Sequence, residues 1–308
     1  MHTTSIFTLL LAAALTTAQT SSPKRGLVFV PNPEHAPDNQ IWVQGQTDLT
    51  WYYNYQPTPS PAYLNLSQET FEFVPMLWSP SDTFFPTIEG LIKGGRNITH
   101  VMGYNEPDGE HATGGSSLDP VVAAKNWIAQ MNPLSKLGVK LGAPAVTGSE
   151  RGMGWLKSFF KACAEQGSNC TVDFFPSHWY GNFEGLASHL GEISGTFPNK
   201  SIWITEYALN NQSLSDTQFF FNTSASYFDR LENVGRYSYF GSFRSDDSNV
   251  GPNAAMLNNA GELTDIGAWY LGRKGAGVQP GGKSEGVRRG VGVWEVVGLV
   301  GALSLVLW

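Results

Sequence analysis

The stretch Gly103-Tyr104-Asn105-Glu106-Pro107-Asp108 follows the apolar run His100-Val101-Met102 and ends in a proline turn. A hundred residues on comes a second stretch of similar design, Ile202-Trp203-Ile204-Thr205-Glu206-Tyr207. In each, one Glu sits at the C-terminal end of a predicted strand. Two such carboxylates facing a single cleft are the least machinery that breaks a glycosidic bond. The rest of the chain reads as the scaffold that brings them together.

Working outward, short apolar runs bounded by turn residues mark eight strands. They are Gly26–Val30, Leu49–Tyr55, Phe71–Trp78, His100–Asn105, Lys140–Ala145, Val172–Trp179, Ser201–Glu206 and Gly235–Phe240. Helical patterns fall between them. Asp119-Pro120 is an N-cap followed by proline, opening a helix through about Leu137. Met153–Glu165 is amphipathic, Ser215-x-x-Gln218 reads as a capping box for a helix ending near Asn233, and Leu263–Leu271 is the last helix. Strands alternating with helices imply a parallel sheet, and eight strands close a (β/α)8 TIM barrel. The alternative is an open doubly wound sheet. That fold carries a glycine-rich phosphate turn after its first strand, where this chain has Val30-Pro31-Asn32-Pro33. The span from Gly26 to Gly272, about 247 residues, is the usual barrel size.

Composition narrows the partners. The chain of 308 residues has a net charge of −7 and no basic cluster in its central body, which argues against nucleic acid. Ten Trp and eleven Tyr are many for this length; aromatics are usually core, and an excess on loops would suit a sugar-binding cleft. Neither a CxxC pair nor a histidine cluster with metal spacing is present, so no metal or organic cofactor is expected. The first 18 residues read as a secretory signal with an apolar core from Ile6 to Leu15, so that the catalytic domain runs from 19 to 272. Residues 273–290 form a Gly-rich polar spacer and 291–308 an apolar tail, the pattern of a GPI-anchor signal with Gly281, Gly282 or Ser284 as attachment points. A C-terminal membrane helix is the other reading of that tail.

Two cysteines, Cys163 and Cys170, are either a small disulfide-closed loop, as an oxidising compartment favours, or two buried thiols. Six N-glycosylation sequons lie at Asn65, Asn97, Asn169, Asn199, Asn211 and Asn222. These features point to a secreted glycoprotein at the cell surface or cell wall, acting as a monomer.

Asn-Glu-Pro at the end of strand four, paired with a Glu ending strand seven, resembles the clan A retaining glycosidases. More narrowly, Gly103–Asp108, Ser177-His178-Trp179-Tyr180-Gly181 and Trp203–Tyr207 look like glycoside hydrolase family 128, which includes the fungal alkali-sensitive-linkage proteins and acts on β-1,3-glucan. The resemblance covers residues 26 to about 272. It implies Glu106 as general acid/base and Glu206 as nucleophile. A charged Glu206 nearby would keep Glu106 protonated by repulsion. Asn105 is placed to meet the sugar 2-hydroxyl, Tyr180 to hold Glu206 ionised, and His178 to orient a carboxylate or a substrate hydroxyl. Trp179 and Tyr239 are candidate stacking platforms. Trp51, Trp78 and Trp203 are assigned to core or scaffold, and Asp108 to a turn or N-cap. Strand eight departs from the family pattern Tyr-Ala-Trp-Phe with Tyr237-Ser238-Tyr239-Phe240.

The expectation is therefore a secreted hydrolase of β-1,3-glucan, endo-acting and retaining, needing no cofactor. Its rivals are a glucan transglycosylase using the same machinery, a hydrolase of another β-linked polymer, and a non-catalytic glucan-binding protein on the same barrel. The connection from Asp108 to Asp119, rich in Gly and Ser, would form a rim of the cleft.

Overall fold

The computed structural model describes residues 21–281. The signal, the apolar tail, and the attachment candidates Gly282 and Ser284 lie outside the described residues. Eight strands occur in the places the sequence assigned them: β1 (Arg25–Val28), β2 (Trp51–Tyr53), β3 (Glu72–Phe73), β4 (His100–Met102), β5 (Lys140–Gly142), β6 (Phe174–Tyr180), β7 (Ser201–Ala208) and β8 (Val234–Tyr239). All pair in parallel, in the order β3-β2-β1-β8-β7-β6-β5-β4. Past the end of β3 the ring closes onto β4. There Met76 bridges Met102, Leu77 N donates to Met102 O at 2.9 Å, and Met102 N donates to Pro75 O at 2.8 Å. The run Phe71–Trp78 reads as one strand, yet only Glu72–Phe73 is regular, because Pro75 has no N–H for a ladder.

Strand alternation sorts the aromatics into two layers. Val28, Trp51, Tyr53, Met76, Phe174 and Trp203 fill the lumen. Their neighbours Leu27, Tyr52, Phe73, Phe175, Ile204 and Tyr207 face outward into the larger core under the helices. That outer layer holds α1 (Phe84–Lys93), α2 (Pro120–Gln130), α3 (Asn132–Ser135), α4 (Glu150–Glu165), α5 (Phe183–Thr196), α6 (Leu214–Arg230) and α7 (Asp265–Tyr270). After β1 and β2 only short 3-10 turns occur, Ala36–Gln40 and Pro61–Tyr63, so the barrel has fewer full helices than strands.

Two helix boundaries depart from expectation. The helix begun by Asp119, whose carboxylate accepts from Val121 N and Val122 N, breaks at Met131 and restarts as α3 with Pro133 in its first turn. A proline inside one continuous helix would remove a hydrogen bond and clash with the preceding turn. α6 is capped by Ser213, accepting from Asp216 N, rather than by a Ser215–Gln218 box. α5 is opened by Asn182, whose side chain accepts from Gly185 N.

Cys163 and Cys170 form a disulfide that ties the end of α4 to the approach to β6. Of the sequon asparagines, Asn65, Asn97, Asn169, Asn199 and Asn211 are exposed, whereas Asn222 lies half-buried within α6. Among the described residues no helix is long and apolar enough to cross a membrane.

Candidate active site

β4 delivers the first carboxylate. After Met102 the chain continues extended, with Asn105 N donating to Trp78 O and Glu106 N donating to Ala145 O at 2.7 Å. Glu106 itself has φ of 39°, a left-handed conformation that costs a non-glycine residue energy and persists only where neighbours enforce it. The enforcement comes from the loop after Pro107. Gly109 N donates back to Glu106 O, Ser116 N to Asn105 O, and Asn105 Nδ2 to Gly114 O at 3.0 Å. Gly115 is obligatory in this clasp, since a Cβ there would lie 2.5 Å from Gly109 C and 2.7 Å from Glu106 O. Asp108 is more than a turn residue: it accepts from Thr147 N at 2.9 Å and from the Thr147 hydroxyl, fastening the end of β4 to that of β5.

β7 delivers the second carboxylate by an irregularity. Trp203 points into the lumen and Ile204 outward, so strict alternation would turn Glu206 outward with Ile204. Between β6 and β7 the register shifts, with Ser177 opposite Ile204 but His178 opposite Glu206. Thr205 is the extra residue of that bulge, and the slip re-aims Glu206 into the lumen. Tyr207, now outward, packs edge-on to Phe228 with ring centroids 5.0 Å apart.

The two carboxylates meet over His178. Its Nδ1 lies 2.9 Å from Glu106 Oε1 and 3.4 Å from Glu206 Oε2, and one oxygen of each Glu lies within 4.8 Å of the other and of the ring nitrogen. All three residues are buried. Glu206 is gripped by phenols: Tyr55 donates to Oε1 at 2.7 Å and Tyr180 to Oε2 at 2.5 Å. Tyr53 stands 3.4 Å from Oε1 and donates to Thr205 O at 3.0 Å.

Burial first, then the charge of Glu206, push the phenols of Tyr53, Tyr55 and Tyr180 far above their ordinary range, so they stay protonated donors. Burial raises the Glu106 carboxyl. The hydrogen bond and charge of His178 pull it back, Glu206 and Asp108 push it up again, and the balance is upward. For His178 burial alone would lower the pKa, but Glu206 and the bond to Glu106 outweigh it and raise it. The pair thus retains a proton where a free Glu would have lost its own, beside a second carboxylate fixed by hydroxyl donors.

Of the expected site residues, Glu106, Glu206, Asn105, His178 and Tyr180 come together. Asn105 is 4% exposed, and its Oδ1 has no protein partner, leaving an acceptor for a ligand hydroxyl. Two expected platforms do not come to this group. Tyr239 is 0% exposed and packs against Tyr207, Phe221 and Tyr270 on the outer side of β8, so no sugar can stack on it. Trp179 points outward from β6: its ring lies over His189 at 5.4 Å, and its Nε1 donates to Asn182 O at 2.9 Å. The residue that does turn toward the mouth on β8 is Phe240, edge-on to Tyr180 at 5.6 Å. Trp51 and Trp203 are scaffold, as expected, but Trp78 is half-buried above the lumen with His111 stacked on it at 6.3 Å. Tyr53 and Tyr55 carried a readable signal, namely two tyrosines at period two on strand two, one face of which must enter the lumen.

Residues 26–270 match the family model described as glycosyl hydrolase catalytic core. The alkali-sensitive linkage protein 1 of Schizosaccharomyces pombe is 29% identical over 259 residues, which are 81% of this chain and 44% of that protein, so the chain spans under half the length of this curated relative. Among solved structures, a GH128 subgroup II endo-β-1,3-glucanase from Pseudomonas viridiflava is 26% identical with a TM-score of 0.66, covering 83% of this chain and 100% of that one. A GH128 subgroup III curdlan-specific exo-β-1,3-glucanase from Blastomyces gilchristii is 25% identical with a TM-score of 0.64, covering 82% of this chain and 98% of that one.

Proposed function

The chain belongs to the glycosyl hydrolase catalytic core family and, within it, to glycoside hydrolase family 128; from that premise we propose that this glycoside hydrolase cleaves β-1,3-glucan with retention of anomeric configuration. The observation that carries the proposal is the closeness of the two carboxylates, with oxygens within 4.8 Å of one another. Retaining enzymes hold the carboxyl groups about 5–5.5 Å apart, whereas inverting ones leave about 6.5–9.5 Å for a water.

In the proposed reaction Glu206 attacks the anomeric carbon while Glu106 gives its proton to the departing glycosidic oxygen. Glu106, now ionised, takes a proton from water, which then cleaves the glycosyl–Glu206 ester. Tyr55 and Tyr180 keep Glu206 ionised and in place before attack. Asn105 Oδ1 accepts from the 2-hydroxyl, a bond that strengthens as positive charge grows on the ring. Endo action is our reading for chains that enter past the rim loop 109–117; the similar structures include both an endo- and an exo-acting enzyme. The signal at 1–18 and the tail at 291–308 support secretion and attachment to the outer surface by a GPI anchor, where the enzyme would remodel the wall of its own cell.

The test is reducing-sugar release from linear β-1,3-glucan by the wild type, Glu106→Gln and Glu206→Gln. The expected result is activity in the wild type and a loss of roughly 10²–10⁴-fold for Glu106→Gln, the usual contribution of a general acid. A wild type that binds the glucan without cleaving it would replace hydrolysis with a glucan-binding role.

A further inference from the structure

We propose that Glu106, His178 and Glu206 also form a site for a divalent transition-metal ion of the Zn2+ or Cu2+ type, which shuts the cleft. The inference rests on the geometry of the site and not on the identity of the glucan. Three ligand atoms converge, one ring nitrogen and one oxygen from each carboxylate, all within 4.8 Å of one another. The shortest separations are 2.9 and 3.4 Å from His178 Nδ1. A tetrahedral ion with ligands at about 2.0–2.2 Å holds them about 3.3–3.6 Å apart, so shifts of about an ångström seat it and leave a fourth position for water.

Charge favours the same occupant. Among the described residues, the ion pairs of Glu106 and Glu206 are with His178 alone, with no Lys or Arg beside them. A dication on two carboxylates and a neutral imidazole makes the buried group neutral overall. The imidazole ligand selects zinc and copper over magnesium and calcium, which prefer all-oxygen sites.

The surroundings make the binding reversible. Tyr55 and Tyr180 already orient Glu206, as outer groups orient a metal-binding carboxylate. His178 Nε2, however, is buried with no hydrogen-bond partner. Resident metal sites anchor that second nitrogen, and loss of such an anchor weakens binding by roughly 10–100-fold. The ion is therefore an inhibitor competing with substrate rather than a resident cofactor.

The experiment is calorimetric titration of the chain with zinc chloride alone, without glucan, on the wild type, Glu106→Gln, His178→Gln and His100→Gln. His100 is the control, because it forms a similar 2.9 Å pair with Glu72 at the other end of the barrel. Thermal melts establish that each variant is folded, and either site variant suffices. The expected result is one ion per chain, affinity at least about tenfold weaker in Glu106→Gln and His178→Gln, and no change in His100→Gln. No measurable heat of binding in the wild type, or an affinity untouched by both site substitutions, overturns the proposal. Neither outcome depends on whether the chain cleaves glucan, which the reducing-sugar assay reads separately.

Discussion

The two ends of this barrel each hold a Glu–His pair at 2.9 Å, half-buried at one end and buried at the other, and the two pairs do opposite things. At the end where the strands begin, Glu72 Oε1 meets His100 Nδ1, and at the end where they finish, Glu106 Oε1 meets His178 Nδ1. What differs is the third group. Glu72 also receives Arg236 Nη2 at 2.6 Å and the Thr99 hydroxyl at 2.8 Å. The Arg236 guanidinium lies 4.3 Å over the Trp203 ring. Burial would raise the Glu72 carboxyl, but His100 and Arg236 overcome it and bring the pKa down to about 2. Glu106 has a second carboxylate where Glu72 has a guanidinium, and its pKa goes up. One pair is a closed ionic rivet between β3, β4 and β8. The other holds the proposed acid, Glu106, with its carboxyl raised.

The largest expected contrast comes from neutralising one carboxylate at each end. Glu206→Gln should reduce kcat on the order of 10⁴-fold or more, since it removes the proposed nucleophile, with the thermal midpoint little changed. Glu72→Gln should leave kcat near the wild-type value and cost about 2–4 kcal/mol of stability, because Arg236 is left partly buried without its charge partner. Calorimetric melts and steady-state rates on both variants check this, and a large kcat loss in Glu72→Gln would erase the division between the two ends. The sign of the pH effect follows from the lowered pKa. The stabilisation from Glu72 is complete above the ordinary Glu value of 4.5 and is lost as pH falls toward about 2. Between those pH values wild type should lose its stability advantage over Glu72→Gln.

A middle-sized effect is expected at the phenols. Tyr180→Phe removes one charge-assisted hydrogen bond to Glu206 while Tyr55 keeps the other, so kcat should fall by roughly 10–150-fold, the equivalent of about 1.5–3 kcal/mol. A kcat within twofold of wild type would mean that the phenols only fill space.

The smallest effect sharpens the comparison most. His178 pulls the Glu106 pKa down against burial and repulsion, so His178→Gln should raise it further. The alkaline limb of kcat/KM should therefore move to higher pH, even as the rate itself drops. A limb that moves to lower pH would show that His178, rather than Glu106, carries the proton that matters.

The sequence made the frame legible because eight strand runs and the two Glu-bearing ends are local patterns. What it hid was facing. Glu206 enters the lumen only through the bulge at Thr205, and a bulge is a property of two paired strands rather than of either sequence. The same blindness put Tyr239 in the cleft, although its neighbour Phe240 holds the inward position. It also put Trp179 at the substrate, although it leans outward on α5 and His189. Trp78 reads as scaffold in the sequence because nothing local reveals that its strand opens after Pro75 into the mouth. Tyr53 and Tyr55 were missed for a different reason, since their role exists only across the barrel from Glu206.

The most direct test of the two-carboxylate assignment is to trap the covalent intermediate. A 2-deoxy-2-fluoro laminaribiosyl fluoride slows both chemical steps through its ring fluorine, while its fluoride leaving group restores the first, so the glycosyl ester accumulates. Intact mass and peptide mapping after incubation should find one added glycosyl unit per chain, on the peptide that contains Glu206. An adduct on Glu106, or continued glucan hydrolysis with no adduct and an inverted product, would contradict the assignment of Glu206 as the nucleophile of a retaining enzyme.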